Sequence, residues 1–312
     1  MSIPLSWWVL FNVFVVAMLA LDLGVFHRKA HAVSLKEALG WTAAWIVLAL
    51  CFSVWVFFAL GQQKGTEFLT GYLIEKSLSV DNVFVFAVLF TYFGVPSQYQ
   101  HKVLFWGIFG ALVMRAAMIA GGAALIANFN WLIYVFALLL VVTGLKMLTG
   151  GDEKIDPEKN IALRILRKLM PITKDYHGQK FFVRDAGRLA ATPLFAVLLC
   201  IEVTDVVFAL DSIPAIFAIT TDTFIIYTSN VFAILGLRSL YFALSGILPY
   251  FHFLKYGLGV ILCFVGVKMS LGHTPWKIDT MISLGVVGSI LLISVLASIV
   301  YRKLHPESAE SK

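Results

Sequence analysis

The sequence predicts an all-α membrane protein, a polytopic bundle of about nine transmembrane helices, and three observations carry that prediction. Of its 312 residues, 60% are hydrophobic and only 13% charged, with a mean hydropathy of +0.89. A soluble domain is roughly 45–50% apolar and 25% charged. The apolar residues fall in runs close to the ~20 that one helical crossing requires. Finally, the basic residues collect in the gaps between runs, as the positive-inside rule expects.

The runs place spans at 5–26, 41–60, 67–93, 103–125, 129–149, 191–219, 222–246, 254–271 and 280–302. With the N-terminus outside, seventeen basic residues face the cytoplasm and only Lys64 and Lys277 face outward. This asymmetry predicts N-terminus out and C-terminus in, in a bacterial inner membrane. The start of the chain lacks a basic n-region and a small-residue cleavage site, and reads as a retained first span. The one sizeable polar segment, 150–190, mixes nine basic and six acidic residues and reads as a cytoplasmic linker. Within it, IALRILRKLM has the pattern of a short amphipathic helix on the inner leaflet. The tail 303–312 is polar and reads as disordered. A net charge of +6 is explained by loop placement, so no nucleic-acid partner is expected. Cys51, Cys200 and Cys263 lie in apolar runs without metal-ligand spacing and read as small hydrophobes.

Three landmarks recur in order. Glu75 precedes Asp81 by six residues in the third span, and Asp205 precedes Asp211 by six in the sixth. Arg115 and Arg238 follow in the next spans, and Lys146 and Lys268 end the spans after those. This predicts a repeat, 67–149 and 191–271, flanked by 1–60 and 280–302. Each copy crosses three times, an odd number, so the second enters from the opposite side. Inverted repeats of this kind are an architecture of secondary transporters, with the substrate near the midplane between the halves.

Ionised groups at the bilayer centre are costly, about 2.5–3.5 kcal/mol each on insertion scales, and therefore face one another or a wet cavity. Here Glu75, Lys76, Asp81, Arg115, Glu202, Asp205, Asp211 and Arg238 all fall inside spans. Glu202 and Asp205 share a helix face, whereas Asp211 does not unless the helix breaks. Pro214 is the expected break, because it lacks an N–H and its ring crowds the Leu210 carbonyl. The candidate metal ligands are Glu75, Asp81, Asn82, Glu202, Asp205 and Asp211. Ser77 and Ser79 add hydroxyls. All are hard oxygen donors with no His or Cys, which suits Mn²⁺, Mg²⁺ or Ca²⁺. Acids and arginines in a bundle also pair simply as salt bridges. That plainer reading fits Arg115, Arg238, Lys76 and Lys268, as a guanidinium is a poor cation ligand. Asp22, near the inner interface, is either structural or a weak member of an ion path. No resident cofactor is expected, and no ATP-binding motif is present.

At GYLIEKSLSVDNVFVF (71–86), EVTDVVFALDSIPAIFAITTD (202–222) and SNVFAILGLRSLYF (229–242) the chain resembles the TerC/Alx family of integral membrane proteins. FFVR at 181–184 resembles the Alx branch. The resemblance implies export of Mn²⁺ from the cytoplasm, with Glu75, Asp81, Glu202, Asp205 and Asp211 as the acidic transport residues and Asn82 beside them. It covers nearly the whole chain. The expectation is thus a non-enzymatic secondary exporter of a divalent cation, exchanging protons. The alternative is a membrane redox or stress-response component of the tellurium-resistance type without transport.

Overall fold

A computed structural model describes residues 3–21, 34–129, 131–149, 161–185, 188–244, 253–272, 274, 276 and 278–304. Eleven helices and one hairpin make up the described chain: α1 (Leu5–Leu21), α2 (Leu35–Leu60), α3 (Gln62–Tyr92), α4 (Ser97–Asn128), α5 (Leu132–Thr149), α6 (Ile161–Leu169), β1 (Phe182–Asp185), β2 (Arg188–Ala191), α7 (Pro193–Phe217), α8 (Thr223–Leu235), α9 (Leu237–Leu244), α10 (Leu254–Leu271) and α11 (Thr280–Leu304). The protein is an all-α polytopic membrane protein.

Seven of the described helical segments are long and apolar enough to cross a bilayer: α2, α4, α5, α7, α8 with α9, α10 and α11. The other two expected spans have identifiable reasons for standing apart. For α1 only 17 residues, Leu5–Leu21, are described, and the chain that follows lies outside the described residues. Helix α3 has 31, but Lys64, Glu67, Glu75, Lys76 and Asp81 interrupt every long apolar window. It packs against α2, α7, α8 and α11, and its Glu67 and Glu75 are buried, as polar groups at membrane depth require.

The linker carries more structure than expected. IALRILRKL forms α6, whose Leu163 and Leu166 are buried while Ile165 and Leu169 stay exposed. It packs on α7. The FFVR segment enters β1, which pairs antiparallel with β2, Phe182 opposite Ala191. The Tyr176 hydroxyl donates to the Phe93 carbonyl at 2.7 Å, and Lys102 donates to the Gln179 carbonyl. The hairpin therefore caps the end of the bundle where α3 stops and α4 starts. Asp22, residues 150–160 and the tail from 305 lie outside the described residues.

Helix α3 packs on α7 and α8, α4 on α7 and α8, and α5 on α10. Exchanging α3–α5 for α7–α10 maps each of these pairings onto itself or onto another in the set. The α5–α10 contact is backbone to backbone. A methyl added at Gly144 would stand 2.6 Å from the Gly259 carbonyl oxygen, and one at Gly266 would stand 2.8 Å from that of Ala137. Without a hydrophobic drive between helices in lipid, small residues allow this close approach and its dispersion contacts. An aromatic cluster of Phe11, Phe52, Phe68 and Phe232 ties α1 and α2 to α3 and α8.

One sequence expectation is corrected. Pro214 does not break its helix: α7 runs unbroken to Phe217. The proline stands only three residues before that end, so a single missing N–H is confined to the last turn, and the Pro214 carbonyl accepts from Ala218 N at 3.0 Å. The break occurs instead within the expected seventh span, at Gly236 between α8 and α9.

Candidate substrate site

Four buried polar side chains from three helices meet at one guanidinium from a fourth. Arg115 of α4 grips Asp205 of α7 bidentately, Nε to Oδ2 at 3.1 Å and Nη2 to Oδ1 at 3.0 Å. Its Nη1 donates to Glu75 of α3, to Ser212 Oγ at 3.2 Å and to Asn230 Oδ1 of α8 at 3.3 Å. Asn230 in turn donates to the second Glu75 oxygen at 3.2 Å. Exposure decides the energetics: Glu75 is 1% exposed, Arg115 2%, Asp205 5%, Ser212 2% and Asn230 0%. Two carboxylates and one guanidinium, when ionised, leave one excess negative charge in a place without water to screen it.

The local sequence explains the placement. Glu75 and Asp205, which recurring sequence intervals pair as corresponding acids, lie on α3 and α7. Ser212 follows Asp205 by seven residues, two helical turns, and so shares its face. Asp211 follows by six and lies on another face. Its Oδ1 accepts from Thr143 of α5 at 3.0 Å, apart from the Arg115 cluster. Since α7 is unbroken, the realignment that Pro214 was expected to produce is absent.

The other candidates are distributed along the bundle. Glu202, half-buried and one turn nearer the hairpin end than Asp205, packs its carboxylate onto Gly110 of α4, where any added methyl would overlap it. Its Oε2 has no hydrogen-bond partner among the described residues, nor does Oδ1 of buried Asn82. Asp81 falls in α3, and its side chain lies outside the described residues. Arg238 and Lys268 are both buried, in the first turn of α9 and the last turn of α10. Among the described residues no group of three or more His, Cys, Asp or Glu is gathered tightly enough to hold a metal ion. The structure thus brings together Glu75, Asp205 and Arg115 and keeps Asp211 elsewhere.

Lys76 has a role that sequence alone did not suggest. Its ammonium donates to the Ala233 carbonyl at 3.4 Å, at the C-terminal end of α8. A helix C-terminus is short of donors for its last carbonyls, and a cation there meets the negative pole of the helix dipole. A methyl at Gly236 would stand 2.8 Å from Lys76 Nζ and 3.2 Å from Trp45 Cβ, so a larger residue there displaces the ammonium and presses on the indole.

Asn230, Ser212 and Thr143 were missed as site residues. Asn230 lies within the quoted SNVFAILGLRSLYF, and an amide inside an apolar run was the available signal. Ser212 and Thr143 look like the hydroxyls that bond their own helix backbone in many spans, so nothing marked them.

Comparison with known proteins agrees with this architecture. Residues 60–305 match the family described as the integral membrane protein TerC family. An uncharacterized membrane protein of Myxococcus xanthus, STKORF319, is 51% identical over 301 residues, covering 96% of this chain and 94% of its own. The putative membrane-bound redox modulator Alx of Salmonella typhi is 48% identical, covering 94% of this chain and 93% of its own. Its namesake in Escherichia coli K12 is 46% identical, covering 94% of each. No solved structure matches the chain.

Proposed function

Since the chain belongs to the TerC family of integral membrane proteins, we propose that it is a secondary transporter exporting a divalent cation, Mn²⁺ foremost, from the cytoplasm. The observation that carries this reading is the meeting of Glu75 and Asp205, one acid from each repeat, in a fully buried polar cluster. The available donors are two carboxylates, the Ser212 hydroxyl and the Asn230 carbonyl oxygen. This hard oxygen set suits Mn²⁺, Mg²⁺ or Ca²⁺.

Charge supports a competition at this place. A dication held by two carboxylates is neutral overall, which a low-dielectric interior favours. Arg115 is then a tethered counter-ion: it occupies the carboxylates when the cation is absent and withdraws when the cation arrives. In the empty state Arg115 offsets one of two negative charges, and one proton completes neutrality. That proton is the natural counter-substrate. The two repeats would rock about the site to expose it alternately. The orientation that goes with export is N-terminus out and C-terminus in, across the bacterial inner membrane, with no enzymatic step and no resident cofactor.

The test uses inverted vesicles loaded with a metal-sensitive dye under a pH gradient. Mn²⁺ uptake is expected with the wild type and lost in Asp205→Asn and Glu75→Gln. Asp211→Asn, outside the cluster, is expected to retain part of it. Uptake by Asp205→Asn at the wild-type rate removes the site assignment.

A second reading follows the relatives' name, a membrane-bound redox modulator acting without transport. Its requirement is thiol or electron-carrying chemistry. Cys51, Cys200 and Cys263 form no disulfide among the described residues and lie on α2, α7 and α10, one exposed, one buried and one half-buried. Replacing all three by serine separates the readings: metal tolerance that survives favours transport.

A further inference from the structure

A second ionic cluster lies on the same face of α3, two turns from Glu75. Lys64, at the start of α3, holds Glu67 Oε2 at 3.0 Å and Asp222 Oδ2 at 3.2 Å. Asp222 is the N-cap of α8, accepting from Phe224 N at 3.1 Å. Glu67, only 4% exposed, also accepts from Gln63 at 3.0 Å and from Thr220, in the turn between α7 and α8, at 2.6 Å. One lysine and one carboxylate thus fasten α3 to the end of α7 and the start of α8, at the end of the bundle opposite the hairpin.

Between this cluster and Arg115 the α3–α8 seam is shut tight. Residues 67, 71 and 75 recur every four positions and share a face. A methyl at Gly71 would stand 3.0 Å from Ser229 Oγ and 3.5 Å from Ile216 Cγ2. Thr70, Ser229 and Ile216 have no exposure at all. Apart from Ile216, the residues that close the seam are small or carry hydroxyls, whose oxygens lie on the way between the two clusters.

We propose that Lys64, Glu67, Asp222 and Thr220 form a latch closing the α3–α8 seam, and that its release opens the way between the Arg115 cluster and the side of the membrane away from the hairpin. This rests on the transporter reading for its purpose, but the latch itself is testable without transport. Surface ion pairs contribute little. This one is partly buried, bonded to a nearly inaccessible carboxylate, and joins elements of both repeats, so it acts on the relative position of the halves. A weak, reversible fastening is what a gate that opens every cycle requires.

The first experiment places a cysteine at Thr70, with Cys51 and Cys263 replaced by serine and buried Cys200 kept as an internal reference. A membrane-impermeant methanethiosulfonate is applied from each side in turn. Thr70→Cys is expected to be protected with Lys64 in place and labelled faster in Lys64→Met, from the side away from the hairpin, while Cys200 stays protected. An unchanged rate at Thr70→Cys overturns the latch, as does an equal rise at Cys200, which would report general loosening.

The second experiment bridges Lys64→Cys and Asp222→Cys with a short reducible bifunctional thiol reagent, all three native cysteines being serine. Mn²⁺ uptake should stop on bridging and return on reduction, relative to the same unbridged protein. Undiminished uptake when bridged overturns the latch. A wild type that moves no Mn²⁺ overturns the exporter reading instead, and leaves the labelling result to decide the latch on its own.

Discussion

Arg115 is the residue on which the centre of the molecule turns. Two carboxylates from different helices share it, so removing it leaves both buried without a counter-charge. Breaking a buried pair in this way costs about 3–5 kcal/mol. Arg115→Gln is therefore expected to lower the melting temperature of detergent-solubilised protein markedly, and thermal unfolding followed by tryptophan fluorescence measures it. If a dication competes with the guanidinium for the same oxygens, millimolar Mn²⁺ should restore Arg115→Gln more than it stabilises the wild type. Equal shifts in the two proteins would count against the competition. Asp211 illustrates the converse. Its bond to Thr143 is a neutral donor to a half-buried acid, so its loss should weaken the protein less than that of Asp205.

At the scale of the element, glycine decides what helices do here. Gly236 divides α8 from α9 and makes room for the Lys76 ammonium beside the Ala233 carbonyl. Helices broken within the membrane are tolerated only where protein or cavity surrounds them, and every described residue from Phe224 to Tyr241 except Tyr227 is buried. Gly144 plays the other part, letting α5 meet α10. Gly144→Val forces the Gly259 carbonyl and the Cys263 sulfur away, an overpacking change of about 1–3 kcal/mol. Lower thermal stability with the helical circular-dichroism signal intact is the expected result. An unchanged transition would mean the α5–α10 contact is slack.

Across the whole molecule, the packing of α3, α4 and α5 on α7, α8 and α10 surrounds the Arg115 cluster and sets apart two ends. One carries α6 and the hairpin, joined to Phe93 and Lys102. The other carries Lys64, Glu67 and Asp222. Basic residues placed 94–102 and 150–190 on one side of the membrane, and the contacts put the described parts of both segments together. A cysteine at Lys174 should react with an impermeant maleimide in inverted vesicles and not in intact spheroplasts. The reverse pattern would invert the proposed topology and, with it, the direction of transport.

What could be read along the chain was whatever depends on local composition and spacing. The helical, membrane-embedded class follows from apolar runs too long for a soluble core. The shared face of Asp205 and the separate face of Asp211 follow from 3.6 residues per turn, and the correspondence of Glu75 with Asp205 follows from recurring intervals. Positions within the third dimension were not legible, because they depend on which helices become neighbours. Only the packed bundle shows that one arginine of the first repeat serves acids of both, or that Asn230 completes the cluster from 155 residues away. Tertiary contact likewise moved the expected break from Pro214 to Gly236. A proline near a helix end costs one hydrogen bond, whereas the Lys76 ammonium and the Trp45 side chain lie beside Gly236, where α8 gives way to α9.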